Sequence, residues 1–204
     1  MSDTRAADDD VAHAVDPASP RDETHGGMER HVALIGMMGC GKTTVGRLLA
    51  SQLDRAVVDL DARLVSTHAM SISDMFSANG ELWFRDAESS ELETVLGATS
   101  GEVISAGGGI VLRAENRRLL REHSIVVWLR ASVETLVARN GTGAGRPMLA
   151  GDPAARIKTL VLERANLYAE AADIVIDVDE LSVPQTVECV RAAVRSLLPT
   201  HWAS

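Results

Sequence analysis

The clearest chemical signal in the sequence is a glycine-rich segment, Gly36-Met-Met-Gly-Cys-Gly-Lys42-Thr43. Its spacing matches the pattern G-x-x-x-x-G-K-[ST], and it lies between an apolar run and a predicted helix, as that pattern requires. Glycines let backbone N–H groups surround phosphate oxygens, and a helix N-terminus adds positive potential. The segment predicts a nucleotide-binding loop, in preference to a glycine-rich turn with a surface lysine.

Two side chains of this loop have distinct predicted roles. Lys42 is expected to bridge the outer phosphates, and the Thr43 hydroxyl is expected to bind Mg²⁺. The basic residues of the chain are otherwise almost all arginine, and the other lysine is Lys158. The predicted nucleotide contacts within the loop are Gly39, Cys40, Gly41, Lys42, Thr43 and Thr44.

A pair of carboxylates, Asp59 and Asp61, closes the next apolar run. Alternate residues of a strand point the same way, so the two side chains can share one site. Asp59 is the candidate metal carboxylate, because the third predicted strand ends in Ser105 without an acid. Asp61 is the candidate group that accepts the proton of a hydroxyl or orients that hydroxyl towards ATP. The structural alternative is that Asp61 caps a helix beginning at Ala62.

Three arginines have spacings that suit anion binding. Arg85 precedes Glu88 by three residues, so on a helix the glutamate could fix the guanidinium against a substrate carboxylate. Arg164 is the candidate for a second carboxylate contact. Arg146, in a glycine-rich loop, is the candidate for an arginine that closes over the phosphates. The corresponding alternatives are a surface ion pair for Arg85, a plain helix-surface position for Arg164 and a solvated loop charge for Arg146.

A glycine triplet, Gly107, Gly108 and Gly109, follows the third predicted strand. Consecutive glycines after a strand allow a ligand to approach the backbone closely, although a tight turn would also explain them. We therefore include the triplet among the candidate substrate-binding residues.

Apolar runs and helical segments alternate along the chain five times, which predicts an α/β protein with a parallel sheet covered on both faces. Ligands of such sheets lie beyond the carboxyl ends of the strands, so the chemistry is expected just after Ile35, Leu60, Ala106 and Leu129. The predicted strands are 31–36, 56–61, 102–106, 124–129 and 173–178. The predicted helices are 42–53, 72–78, 81–96, 113–122, 133–139, 154–169 and 183–198.

Composition limits the remaining possibilities. The chain has 204 residues, of which 46% are hydrophobic and 24% are charged, as expected for one domain. The net charge of −9 argues against a nucleic-acid partner, and no apolar run is long enough to span a membrane. Residues 1–29 are acidic, and we expect them to form a disordered tail. Two distant cysteines, Cys40 and Cys189, suggest a reducing, cytoplasmic compartment.

In this order the motifs resemble those of shikimate kinases, which are small P-loop kinases related to nucleoside-monophosphate kinases. The resemblance runs from about Val32 to Leu198. The matching pieces are the phosphate loop, Asp59-Leu-Asp61, Phe84-Arg85 with Glu88, the glycine triplet, Arg146-Pro-Met-Leu149, and Arg164 with Leu167-Tyr168. The phosphate loop is common to many families, whereas the remaining set is much more specific.

The resemblance implies phosphorylation of the shikimate 3-hydroxyl by ATP and Mg²⁺. It implies that Asp61 binds the reacting hydroxyl, and that Arg85, Arg164 and the glycine triplet hold the substrate. Arg139 and Pro184 would flank adenine. The implied fold is three-layered, with a parallel sheet of order 2-3-1-4-5, in one domain of residues 30–200. A mobile lid of about residues 140–153 would carry Arg146, and the protein would be a monomer.

Two other functions stay open at this point. A gluconate-type kinase would also bind a polyhydroxy acid, so the arginines alone discriminate poorly. A catalytically silent nucleotide-binding regulator would not need Lys42, Thr43, Asp61 and Arg146 together. Met148, Met37, Met38 and Trp83 depart from the family pattern in ways that affect the shape of the pocket more than its chemistry.

Overall fold

Strands of consecutive buried residues form a sheet with helices on both of its faces. The computed structural model describes residues 30–141, 149 and 151–197, together with the backbone of residues 12–14. The strands are β1 (Ala12–Ala14), β2 (His31–Ile35), β3 (Val57–Asp59), β4 (Val103–Ser105), β5 (Ser124–Arg130) and β6 (Ile174–Asp177). Every residue of β2 is buried, since this central strand is covered from both sides.

The strand order is β1-β6-β5-β2-β4-β3. All the neighbouring pairs are parallel except β1 with β6, which is antiparallel. Counted along the chain, the five parallel strands have the order 2-3-1-4-5, so the predicted α/β class and topology are confirmed. Their carboxyl ends meet beside the phosphate loop, where the sequence placed the chemistry.

Seven α-helices lie in the described part of the chain: α1 (Lys42–Leu53), α2 (Leu60–His68), α3 (Ile72–Leu96), α4 (Ala114–His123), α5 (Val133–Asn140), α6 (Pro153–Ala171) and α7 (Val183–Leu197). Helices α1 and α7 pack together, and α4 packs against α3 and α6. No helix among the described residues is both long and apolar enough to cross a membrane.

Helix α3 accounts for two of the predicted helices. Its chain continues through Gly80, which has φ 80° and ψ 172° and therefore kinks the helix between the two predicted segments. Glycine adopts this left-handed φ without the steric cost that a Cβ atom would add. The second segment carries Arg85 and Glu88, so the kink sets the direction from which both side chains enter the site.

Two elements were not among the predicted ones. Helix α2 begins at Leu60, inside the predicted second strand, so β3 is shorter than expected. Strand β1 lies within the predicted acidic tail and pairs with β6 through Ala12, His13 and Ala14. A three-residue strand at a sheet edge leaves no hydrophobic period in the sequence, which explains why the pattern did not indicate it.

The buried apolar residues form two clusters. The larger surrounds the sheet and the helices packed on it. The smaller consists of Leu64, Met75 and Phe84, with partly buried neighbours including Phe76 and Trp83. The smaller cluster joins α2 to α3 and so supports the part of the site that these helices carry.

Candidate active site

The predicted phosphate loop turns between β2 and α1. Positive φ angles occur at Gly36 (140°), Gly39 (83°) and Gly41 (106°), so the loop depends on glycine at these positions. Gly41 is the N-cap of α1, which begins at Lys42. Backbone N–H groups at a helix N-terminus that follows such a loop form an anion site.

Lys42 is only 9% exposed, and its ammonium lies inside this loop. Its Nζ donates hydrogen bonds to the carbonyl oxygens of Gly36 at 2.8 Å and Met37 at 3.0 Å. The Cys40 sulfur is 3.8 Å from Nζ and is buried, as a residue that fills the loop. The loop therefore holds a positive charge where the outer phosphates of a nucleotide would bind.

Three oxygen-bearing side chains meet at the start of α1. The Thr43 hydroxyl donates to Oδ2 of Asp59 at 2.7 Å, and its oxygen is 3.3 Å from Oγ of Ser105. Hydroxyl and carboxylate oxygens are the protein ligands that Mg²⁺ accepts, so this set fits the predicted metal site. Ser105 was not predicted to take part, although its place at the end of β4 was the available signal.

The helix-capping alternative for Asp61 is wrong, because Asp59 is the residue that caps α2. Oδ1 of Asp59 accepts a hydrogen bond from the N–H of Ala62 at 3.1 Å. Asp61 instead lies in the first turn of α2. The strand alternation that suggested a shared site does not apply, since β3 ends at Asp59, yet the two carboxylates remain close enough to influence each other.

Asp61 is an exposed residue, although protein atoms, including the backbone of Gly107, crowd around its carboxyl group. This desolvation raises the pKa of Asp61, and the negative charge of Asp59 raises it further. The positive charges of Lys42 and Arg85 oppose the rise. A raised pKa brings a carboxylate closer to the range in which it accepts a proton efficiently.

Arg85 and Glu88 form a buried pair, so the surface-pair alternative is wrong. Their relative exposures are 8% and 1%, and Nη1 of Arg85 is 2.6 Å from Oε2 of Glu88. Burial raises the pKa of Glu88, while the attached guanidinium opposes that shift. The guanidinium also lies 5.1 Å from the ring centroid of Phe84 and 5.8 Å from that of Phe76. These contacts fix Arg85 in one orientation.

Arg85 also bonds Oε1 of Glu81 at 3.3 Å, and its Nε is buried without an acceptor among the described residues. A buried donor without an acceptor is costly unless a ligand completes it. This arginine therefore has the orientation and the free hydrogen-bonding capacity that a carboxylate site needs.

The glycine triplet packs directly against these charged side chains. A Cβ on Gly107 would lie 2.7 Å from Oε1 of Glu88 and 2.9 Å from Oδ1 of Asp61. A Cβ on Gly109 would overlap the guanidinium of Arg85. Gly107 and Gly109 are therefore required first by the site's own side chains, which the sequence argument about ligand approach did not include.

The central peptide of the triplet is held by α6. Nη1 of Arg164 donates to the carbonyl oxygen of Gly108 at 3.0 Å, and the Tyr168 hydroxyl donates to the same oxygen at 2.6 Å. Arg164 is 2% exposed, which excludes the helix-surface alternative. The Tyr168 ring stacks on Trp128 with centroids 5.5 Å apart. Tyr168 was noted in the sequence as part of a motif, but its contact with the triplet was not foreseen.

The predicted adenine contacts lie on the other side of the phosphate loop. Arg139 is exposed on α5, and its Nη2 donates to the carbonyl oxygen of Val178 at 3.4 Å. Pro184 is the second residue of α7 and is also exposed. Arg146 and most of the predicted lid lie outside the described residues. Thr44 is exposed in the first turn of α1.

This arrangement defines the class of protein. A parallel sheet of this order carries a phosphate loop, a Thr–Asp oxygen pair and, beside them, two buried arginines and the carboxylate of Asp61. The combination is that of a P-loop kinase that transfers phosphate to a small anionic molecule.

Comparisons with known proteins give the family. The family model described as shikimate kinase matches residues 38–195. A curated shikimate kinase from Bordetella pertussis is 38% identical over 97% of this chain and 90% of its own length. The chain therefore belongs to the shikimate kinase family, and the predicted family and enzyme class are confirmed.

Solved structures agree with this assignment. A shikimate kinase from Acinetobacter baumannii, in complex with shikimate, is 30% identical with a TM-score of 0.80, covering 84% of this chain and 96% of its own. A gluconokinase from Sinorhizobium meliloti is 16% identical with a TM-score of 0.51, covering 83% and 94%, so it shares the fold alone. Membership of a kinase family implies the use of ATP with a divalent metal ion.

Proposed function

We propose that this chain transfers the γ-phosphoryl group of ATP to the 3-hydroxyl of shikimate, giving shikimate 3-phosphate and ADP. The observation that carries the proposal is the position of Gly108. Its carbonyl is bonded by Arg164 of the acceptor pocket, and a Cβ on it would lie 3.4 Å from the backbone nitrogen of Met38 in the phosphate loop. A polyhydroxy acid on the triplet would therefore lie beside the terminal phosphate.

The phosphate loop supplies most of the nucleotide contacts. Backbone N–H groups of residues 39–44 and the N-terminus of α1 would surround the phosphate oxygens. Lys42 would neutralise the charge that spreads over the γ-phosphoryl oxygens during transfer. Arg139 and Pro184 would flank adenine, and Arg146 would reach the phosphates from the lid.

Mg²⁺ is the metal that the oxygen set of Thr43 and Asp59 fits best. When bound, it would draw negative charge away from the phosphate oxygens. Asp59 accepts two hydrogen bonds, one from the Thr43 hydroxyl and one from the backbone of Ala62, so its carboxylate is already oriented. The Ser105 hydroxyl stands close enough to Thr43 to orient it further.

The acceptor pocket would place the hydroxyl for direct transfer. The shikimate carboxylate would bind the buried guanidinium of Arg85 and that of Arg164. The 3-hydroxyl would donate a hydrogen bond to Asp61. As its oxygen bonds to the γ-phosphorus, the bond from that phosphorus to the departing ADP oxygen breaks, and the hydroxyl proton passes to Asp61.

We also propose that the enzyme acts as a monomer in the cytoplasm, without a nucleic-acid or membrane partner. The free thiols Cys40 and Cys189 are compatible with a reducing compartment. Gel filtration with light scattering tests the proposed monomer. We expect one species with the mass of a single chain.

A coupled assay of ADP release tests the function. The purified chain is assayed with ATP and Mg²⁺ and, in turn, with shikimate, gluconate and nucleoside monophosphates. We expect turnover with shikimate at least about 10³-fold above the other acceptors, because a site built on specific polar contacts rejects molecules that leave them unpaired. Preferred turnover of gluconate would support the gluconate-type kinase. ATP binding without turnover of any acceptor would support the catalytically silent regulator.

A further inference from the structure

Asn140, the last residue of α5, reaches from that helix to the phosphate loop. Its Nδ2 donates to the carbonyl oxygen of Met38 at 3.0 Å and to that of Leu136, in its own helix, at 2.6 Å. The side chain lies so close to the loop that a Cβ on Gly39 would be 2.5 Å from Nδ2. Met38 and Asn140 are 102 residues apart in the sequence, so this is a tertiary contact.

The contact fixes one peptide group of the loop. In a trans peptide the C=O and the following N–H point in opposite directions. Because Asn140 holds the Met38 carbonyl, the N–H of the same peptide group, which belongs to Gly39, points away from Asn140. The bond therefore determines the direction of one donor of the anion site.

The Asn140 side chain also contains a buried polar atom that packing alone does not explain. Oδ1 of Asn140 is buried and has no hydrogen-bond partner within the described residues. A buried acceptor without a partner destabilises the folded state by about 1–3 kcal/mol, and leucine would fill similar space without it. An asparagine at this position is therefore better explained by the two bonds of its Nδ2 than by stability.

We propose that Asn140 is a positioning residue of the nucleotide site. It orients the Met38–Gly39 peptide for the phosphates and ties the loop to the helix that carries Arg139, the proposed adenine contact. This inference rests on the proposed function only for the identity of the nucleotide. It assigns Asn140 to ATP affinity and not to the acceptor pocket.

Asn116 provides a matched control. It is 1% exposed, its Nδ2 donates to the carbonyl oxygen of Ile110 at 3.2 Å, and its Oδ1 also lacks a described partner. Within the described residues, it differs from Asn140 in that its side chain makes no hydrogen bond to the phosphate loop. The same substitution at both positions separates a role in ATP binding from a general loss of a buried amide.

The experiment measures the Kd of ATP by calorimetry, the KM of each substrate and the melting temperature of Asn140→Leu and Asn116→Leu. We expect Asn140→Leu to weaken ATP binding about tenfold, which is the effect of one hydrogen bond. The KM of shikimate should stay within about twofold of the wild-type value, a change no larger than experimental error. Asn116→Leu should leave the Kd of ATP unchanged.

Two outcomes would overturn the inference. One is an unchanged Kd of ATP in a folded Asn140→Leu protein, and the other is an equal loss of ATP affinity in Asn116→Leu. If Asn140→Leu does not fold, Asn140→Ala is measured in the same way against Asn116→Ala. Wild-type turnover of shikimate tests the proposed function independently, so its failure is distinguishable from a failure of this inference.

Discussion

The two halves of the active site are built in different ways. The phosphate half consists of one continuous segment, residues 36–44, joined by Asp59, and most of its proposed ligand contacts are backbone groups. The acceptor half is assembled from α2, α3, the triplet after β4 and α6, and its residues are Asp61, Arg85, Glu88, Gly107, Gly108, Gly109, Arg164 and Tyr168. Its contacts are largely buried charged side chains.

The difference shows which interactions hold the groups of each half in position. In the phosphate half, glycine conformations and the N-terminus of α1 orient the backbone N–H groups of the loop. This half contacts the larger hydrophobic cluster. In the acceptor half, Glu88 and Phe84 fix the Arg85 guanidinium, and the smaller cluster supports the helices that bring them together. We therefore expect substitutions in the phosphate half to affect catalysis with any acceptor, and those in the acceptor half to affect shikimate selectively.

The largest effect should come from removing the charge of the phosphate half. Lys42→Ala should lower kcat by about 10³-fold, because the ammonium stabilises the transferring phosphoryl group. The other lysine of the chain, Lys158, is exposed on α6 and serves as a control. Steady-state kinetics of both variants should show wild-type rates for Lys158→Ala. A Lys42→Ala enzyme with more than a tenth of wild-type kcat would remove the lysine from the mechanism.

Asp61→Asn should be nearly as damaging, with a fall in kcat of at least about 10²-fold, because the amide cannot accept the hydroxyl proton. The same variant should be more stable than the wild type at neutral pH. The folded-state pKa of Asp61 is raised, so ionisation of this group costs stability as pH rises above the unfolded-state value. Kinetics and thermal melting check both expectations, and wild-type turnover by Asp61→Asn would refute the assigned role.

The raised pKa of Asp61 also affects the rate at low pH. The carboxylate is the active form, so activity should fall as pH decreases through a pKa above that of an exposed aspartate. A profile of kcat/KM for shikimate against pH tests this, because that ratio reports the pKa of the group before shikimate binds. An acidic limb at the position expected for an unperturbed aspartate would show that desolvation does not control this group.

Arg164→Ala should mainly affect binding in the acceptor half, raising the KM of shikimate by about 10²-fold with a smaller change in the KM of ATP. Arg164→Lys keeps the charge but not the planar fork, so its KM should fall between those of the wild type and the alanine variant. Initial rates at varied concentrations of each substrate give both constants. Equal changes in the two KM values would contradict the separation of the halves.

Gly109→Ala should raise the KM of shikimate about tenfold, because the added methyl group displaces the Arg85 guanidinium. Gly109 has φ −99°, so the effect would come from lost space and not from backbone strain. Gly97→Ala is the control, since its Cβ would meet only ordinary contacts at 3.5 Å or more. If both variants bind shikimate as the wild type does, the close packing of the triplet has no functional role.

Tyr168→Phe should have the smallest effect, raising the KM of shikimate about threefold and lowering stability by about 1 kcal/mol. It removes the bond to the Gly108 carbonyl and retains the ring that stacks on Trp128, and Arg164 still holds the same carbonyl. Kinetics and denaturant unfolding separate the two effects. A loss of stability with unchanged KM would limit Tyr168 to a structural role.

The sequence predicts the phosphate half better than the acceptor half. The loop pattern contains its own geometry, so Gly36, Lys42 and Thr43 could be assigned roles from spacing alone. The bonds of Arg164 and Tyr168 to the Gly108 carbonyl join residues 56 and 60 positions apart, and no local pattern encodes them. The sequence indicated Arg164 as a candidate carboxylate contact, but not its bond to the Gly108 carbonyl.

Helix α2 shows a second reason why prediction from sequence stops short. Leu60 and Asp61 fall in the predicted second strand, but the bond from the Ala62 N–H to the Asp59 side chain caps a helix that begins at Leu60. The order of the parallel strands was nevertheless implied correctly, because family resemblance carries topology even where element boundaries shift.

In the proposed mechanism, backbone amides hold a triphosphate while Asp61 directs an alcohol at its terminal phosphate. A crystal structure with a non-hydrolysable ATP analogue, Mg²⁺ and shikimate tests it most directly. We predict the triphosphate within the loop of residues 36–43, and the 3-hydroxyl oxygen within about 3.2 Å of an Asp61 carboxylate oxygen. A 3-hydroxyl out of reach of Asp61, or a triphosphate bound outside the loop, would contradict the account.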